Sequence, residues 1–158
     1  MVTLTMAAGS GTAGSTVTLD LSIASTGGDQ CTGVEWVFAP NNSLVTVASV
    51  ALGAAAIAAN KTISRAGPLC IVQSIGLNND VIGDGVLVSA TFSIASSATG
   101  LITLNLTGIY ATDANADPLS TDGIFGSITI PGVTQKGNKG RTRIHKTYSA
   151  VVSATMTF

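Results

Sequence analysis

Apolar and polar residues alternate one by one along much of this chain, and that period of two constrains its fold more than any other feature. Val17, Leu19, Leu21 and Ile23 alternate with Thr16, Thr18, Asp20 and Ser22. Val34, Trp36 and Phe38 alternate with Gly33, Glu35 and Val37. Val86, Val88, Ala90, Phe92 and Ile94 form a third run, and Ile102, Leu104 and Leu106 a fourth, set against Thr103, Asn105 and Thr107. Successive side chains of an extended strand point to opposite faces, so each run buries one face and wets the other. Met1 to Thr5 and Gly126 to Ile130 read as further strands. Turn-forming clusters punctuate the runs: Gly27-Gly28-Asp29, Pro40-Asn41-Asn42, Asn78-Asn79-Asp80, Gly83-Asp84-Gly85 and Asp113 to Pro118. The one helix candidate, Gly53 to Asn60, is too short to stand alone. Many short strands between polar turns predict an all-β sandwich or barrel. A length of 158 residues suits one domain with a two-layer core.

Charged residues make up only 9% of the chain and the formal net charge is −1, whereas an ordinary soluble domain is about 25% charged. Near-neutral surfaces associate, so much of this one is expected to be covered by a protein partner or by sister subunits. No run is long and apolar enough to read as a membrane span; the longest weakly polar stretch, Val45 to Ala59, is Ala- and Gly-rich and too short. The opening residues already form a strand pattern and lack the basic start of a signal peptide. Either an export signal has been removed or the chain reaches the outside by assembly. Both routes place it outside the cytosol, extracellular or on a virion surface.

The two cysteines, Cys31 and Cys70, are expected to pair as a disulfide. The bond would close a loop of about 40 residues and contribute roughly 4 kcal/mol in the chain-entropy account. Two buried thiols acting as small hydrophobes are the alternative. With a single histidine, they cannot build a zinc site of four ordinary ligands.

The order of segments over residues 2–130 resembles the cohesin family. Ala13-Gly14-Ser15-Thr16-Val17-Thr18-Leu19 is similar to the family's opening strand. Cys31-Thr32-Gly33-Val34-Glu35-Trp36-Val37-Phe38 resembles a second family strand, and Pro40-Asn41-Asn42-Ser43-Leu44 the turn that follows it. Gly83-Asp84-Gly85-Val86-Leu87-Val88-Ser89-Ala90-Thr91-Phe92 is the nearest match. Asp113-Ala114-Asn115-Ala116-Asp117 resembles a late turn. The resemblance implies an antiparallel jelly-roll β-sandwich of about nine strands. It also implies non-enzymatic protein binding, typically to a dockerin module in cellulosomes. The cysteines are not part of the common pattern, and Val37 and Ala39 replace positions that are often more polar.

Residues beyond the matched body have another character. Five of the seven basic residues, Lys136, Lys139, Arg141, Arg143 and Lys146, lie in a Gly-containing stretch over 131–146, with the only histidine, His145. All eight acidic residues come earlier, from Asp20 to Asp122. From 147 to 158, Tyr148, Ala150, Val152, Ala154, Met156 and Phe158 alternate with Thr147, Ser149, Val151, Ser153, Thr155 and Thr157, which predicts an extra C-terminal strand. That strand either completes the domain's own sheet or is lent to a neighbour, as in β-augmentation. The basic residues together with Tyr148, Val152, Met156 and Phe158 are therefore the candidate partner contacts. A basic cluster of this size without interleaved aromatics gives only weak, non-specific phosphate binding, so no specific nucleic acid is expected.

Catalytic patterns are missing. His145 has no carboxylate placed against it as a Ser–His–Asp site needs. Glu35 is the sole glutamate, and Asp80 and Asp84 flank a turn, where aspartate is the ordinary residue. Asp113, Asn115 and Asp117 match the start of a calcium loop, but Pro118 stands where glycine is needed and Ile124 where glutamate is needed. No cofactor and no metal is expected. The reading is a non-enzymatic, cohesin-like interaction or structural module. The alternative is a repeating subunit of a larger assembly, such as a virion decoration or coat protein or a surface filament or layer, joined as a homo-oligomer through its last strand.

Overall fold

The computed structural model describes residues 1–73 and 78–132. These form twelve strand segments and one short helix: β1 Val2–Met6, β2 Ala8–Ser10, β3 Thr16–Ser25, β4 Gly33–Pro40, β5 Val45–Leu52, α1 Ala54–Ala58, β6 Thr62–Ala66, β7 Leu69–Gln73, β8 Gly85–Ile94, β9 Gly100–Thr112, β10 Pro118–Leu119, β11 Thr121–Ile124 and β12 Gly126–Ile130. They build two sheets packed face to face as a jelly-roll sandwich. The first has the order β11-β1-β3-β8-β5; the second has β2-β12-β9-β4-β7-β6, with β10 added beside β9. Most pairings are antiparallel; β1 with β11 and β2 with β12 are parallel.

The alternation selects what lies between the sheets. Leu19, Leu21 and Ile23 of β3 and Val88, Ala90, Phe92 and Ile94 of β8 face Val34, Trp36 and Phe38 of β4 and Ile102, Leu104 and Leu106 of β9, all buried. Three aromatic rings run through the centre. Trp36 and Phe38 meet edge to face at 5.7 Å between centroids, and Phe38 and Phe92 at 5.6 Å, the arrangement in which a ring's positive edge meets a negative face.

On one long side the chain itself joins the sheets. β1 continues into β2 and β11 into β12, so each of these stretches pairs first in one sheet and then in the other. A side chain at Gly126 would run into the carbonyl of Ala7, so only glycine lets the two crossing strands approach so closely.

The disulfide expected between Cys31 and Cys70 is not formed; both are free, buried thiols. Cys70 is paired with Trp36 in the middle of β4, whereas Cys31 lies beyond the start of that strand. The chain is still extended there, since the Thr32 N–H bonds the Thr112 carbonyl at 2.8 Å. Five residues of extended chain from Cys31 to Trp36 span roughly 16 Å, against the 7 Å or so that a disulfide can bridge. Burial pushes both thiols up, each to about 11.

The Lys136–Lys146 basic stretch and the strand expected over 147–158 lie outside the described residues. Among the described residues, no helix is long and apolar enough to cross a membrane.

Candidate functional site

The outer faces of the two sheets differ in chemistry. On the first sheet, the Thr18 and Thr91 hydroxyls are hydrogen-bonded to each other at 2.8 Å, and the Ser89 hydroxyl donates to the Asp20 carboxylate at 2.6 Å. These polar groups satisfy one another across β3 and β8.

The second sheet presents a different surface where β4, β7 and β9 lie side by side. Residues paired across strands share a face, so the registers define outward rows. One row crosses four strands as Tyr110, Glu35, Ile71 and Ser64. The next is Thr107, Val37, Leu69 and Ala66. In these two rows Glu35 is the only charged side chain. Tyr110 is 47% exposed, and Val37, Leu69 and Ile71 are half-buried. Between the rows β9 carries a bulge: Glu35 pairs with Tyr110 and Val37 with Thr107, so β9 advances three residues where β4 advances two. Gly108 accommodates the bulge at φ +57°, a conformation that glycine adopts without a side-chain clash.

Beside Tyr110, Glu35 and Ile71 the surface sinks into an open depression of about 410 Å³, rimmed by Asn78, Asn79 and the 113–116 turn. That turn is fixed by its own first residue. The Asp113 carboxylate accepts the N–H groups of Asn115 at 2.8 Å and Asp117 at 2.9 Å, leaving that oxygen engaged by the backbone. Among the described residues no group of three His, Cys, Asp or Glu side chains is placed to hold a metal ion. On the other rim the Asn78 amide donates to the carbonyls of Ala59 and Asn60, both at 3.3 Å. The buried Lys61 ammonium donates to the Asn78 carbonyl at 3.4 Å. Burial lowers the Lys61 pKa, and the nearby Asp80 and Cys31 partly oppose that.

This arrangement suits contact with another protein. A rigid sheet carries half-buried aliphatic side chains, a tyrosine whose ring is apolar and whose hydroxyl is polar, and one carboxylate, that of Glu35. Tyrosine-centred apolar patches with polar rims are where protein interfaces concentrate their binding energy.

The partner contacts expected from the sequence, Lys136, Lys139, Arg141, Arg143, Lys146, Tyr148, Val152, Met156 and Phe158, lie outside the described residues. Of the residues that form this face, the sequence marks Val37 as less polar than the family pattern but makes none of them a partner contact, although the signal is present. Val37 and Ala39 occupy the wet side of β4, and Leu69-Cys70-Ile71-Val72 is apolar on both faces of its strand.

The family model for the cohesin domain matches residues 2–130. Among solved structures, the third cohesin of ScaC from Acetivibrio cellulolyticus, in complex with the ScaB dockerin, aligns at a TM-score of 0.70 and 18% identity, covering 84% of this chain and 100% of that one. CaCohA2 from Clostridium acetobutylicum aligns at 0.66 and 24% identity, covering 84% and 92%. A non-cellulosomal cohesin from the hyperthermophilic archaeon Archaeoglobus fulgidus aligns at 0.65 and 18%, covering 83% and 91%. At these identities the likeness to the solved structures is one of fold. No curated protein matches the sequence.

Proposed function

This chain belongs to the cohesin family, a family of non-catalytic protein-interaction modules, and from that premise we propose that it captures a dockerin-type module outside the cytosol, using the outer face of β9, β4 and β7. The observation that carries this reading is the row of Tyr110, Glu35 and Ile71 beside the depression, an apolar, singly charged patch on a rigid sheet. The ScaC cohesin, which shares the fold, was solved with a dockerin. The Archaeoglobus relative is described as non-cellulosomal, so the fold by itself does not tie the partner to cellulose.

Calorimetric titration with a panel of purified dockerin modules tests the proposal. A member of the panel should bind the full chain, and Tyr110→Ala should weaken that binding by roughly thirtyfold, about 2 kcal/mol, as loss of a central anchor does. Glu35→Gln should slow association and reduce its dependence on salt. Binding that neither substitution alters would remove this face from consideration.

A second reading concerns the end of the chain. The body over 1–130 holds all eight acidic residues and two of the seven basic ones, and the other five fall in 136–146. This opposition of charge favours contact between the basic stretch and an acidic body, with residues 147–158 adding a strand to a sister subunit. The chain would then be a repeating unit of a virion or surface assembly. Comparing the light-scattering mass of the full chain with that of a version ending at Thr134 decides it: an oligomer that truncation reduces to a monomer supports this reading, and equal masses exclude it.

A further inference from the structure

The two long sides of this sandwich are closed by different means. On one, the chain crosses between the sheets twice. On the other, among the described residues, β5 ends the first sheet and β6 ends the second, and no strand joins them. An edge strand presents a row of unpaired N–H and C=O groups that another strand can pair with.

β5 is an unusually inviting edge. Its sequence, Val45-Thr46-Val47-Ala48-Ser49-Val50-Ala51-Leu52, has no charge and no proline, and no charged residue occurs anywhere from Trp36 to Asn60. Uncharged, β-branched windows of this kind are the ones that pair with copies of themselves. An antiparallel pair of β5 strands is also self-complementary, since a two-fold axis maps each strand onto the other. With a net charge of −1 on the whole chain, long-range repulsion does little to oppose such a pair.

Arg65 of β6 reaches across this open side. Its Nη2 donates to the Val47 carbonyl at 2.6 Å, its Nη1 to the Ala48 carbonyl at 3.0 Å, and its Nε to the Gly67 carbonyl at 2.7 Å. β5 makes this possible by bulging at Ala48: Val47 pairs with Phe92 and Ser49 with Thr91, so two steps along β5 answer one along β8. Consecutive carbonyls of a regular strand point to opposite sides, whereas a bulge can turn two toward one partner. The planar guanidinium matches that pair with its fixed fork of donors, which a lysine cannot do.

We propose that Arg65 is an edge guard. It occupies the β5 carbonyls that an incoming strand would need and sets the one charge at that edge. The interaction it suppresses is antiparallel pairing of β5 with β5 of a second copy.

The test is the solution mass of Arg65→Gln as concentration rises, measured beside the parent chain by light scattering, with circular dichroism and amide exchange confirming the fold. The variant should reach twice the parent's mass, with new amide protection confined to residues 45–52. Ser49→Lys in the variant, which blunts the same strand, should return it to the parent's mass. Truncating the variant at Thr134 should leave the doubling intact. A folded Arg65→Gln chain that keeps the parent's mass at every concentration overturns the proposal. So does doubling that survives Ser49→Lys, or doubling that truncation abolishes, since the added strand would then be the chain's own end. Should Arg65→Gln fail to fold, Arg65→Lys keeps the stem and charge but offers one donor group for two carbonyls. It should associate at higher concentration, and monomeric behaviour at every concentration would equally overturn the proposal.

Discussion

Raising the pH from about 8 to about 11 should destabilise this domain steeply, because two of its core side chains are thiols that the fold holds protonated. Cys31 and Cys70 are fully buried, and burial raises each from an ordinary value of 9.0 to about 11. Between those values the unfolded chain gives up both thiol protons while the folded chain keeps them. The unfolded state then binds fewer protons, so stability falls as pH rises and is fully present only below about 9. Two units correspond to about 2–3 kcal/mol per thiol, on the order of 5 kcal/mol for the pair, a large part of the 5–15 kcal/mol that holds a typical domain together. Lys61 acts in the opposite sense. Its pKa is lowered in the fold from an ordinary value of 10.5, so the folded state loses that proton first and gains stability as pH rises toward that value. Chemical denaturation at a series of pH values, run on the parent and on Cys31→Ala/Cys70→Ala, reads the thiols together with the coupling of Cys31 to Lys61. The parent's stability should drop toward the variant's and below it by about pH 11. Parallel curves would refute the reasoning, and parallel curves together with no titratable thiol in denaturant would show that the two cysteines are bonded after all.

Three further substitutions test the packing and the site. Gly126→Ala places a methyl against the Ala7 carbonyl and the Met6 side chain, where backbone cannot yield, and should lower stability by about 1–3 kcal/mol in a urea titration. Phe92→Ala removes a buried ring stacked edge to face on Phe38 and should cost about 3–5 kcal/mol in the same assay. Asp113→Ala takes away the acceptor of the Asn115 and Asp117 N–H groups; those two amides should exchange with solvent faster, while the global stability changes by no more than about 1–2 kcal/mol.

The strands that were legible in the sequence are the ones whose alternation is unbroken. β3, β4 and β12 carry one apolar face from end to end, β8 does so from Val88 to Ile94, past a bulge that buries Leu87 beside Val88, and the hydrophobic half of β9 does the same. β5 was not legible because its bulge shifts the apolar phase: Val45 and Val47 keep one parity, Val50 and Leu52 the other. β6 was hidden because its last three residues, Ser64 to Ala66, are exposed on an edge and carry no apolar stripe. β7 was hidden for the opposite reason. Cys70 and Val72 fill the core while Ile71 faces out, so the run is apolar on both sides and has no period. That second apolar face belongs to the candidate docking surface, and the same holds for Val37 on β4. Binding surfaces break the pattern that marks a strand, because their wet side is not wet once a partner is seated. Tyr110 gave no signal of its own; only the bulge at Gly108 and the pairing with Glu35 place it in the patch. The disulfide was misjudged because pairing two cysteines by count ignores strand register, and register sets Cys70 against Trp36.

The most direct test of the docking surface is the footprint of a bound dockerin, read by amide hydrogen exchange or by NMR shifts on the full chain. Protection or shifts concentrated at Glu35, Val37, Ile71 and Tyr110, with Thr18, Asp20, Ser89 and Thr91 on the opposite sheet unchanged, is the predicted result. A footprint centred on that hydroxyl-bearing sheet, or no binding by any member of a broad dockerin panel, would contradict it.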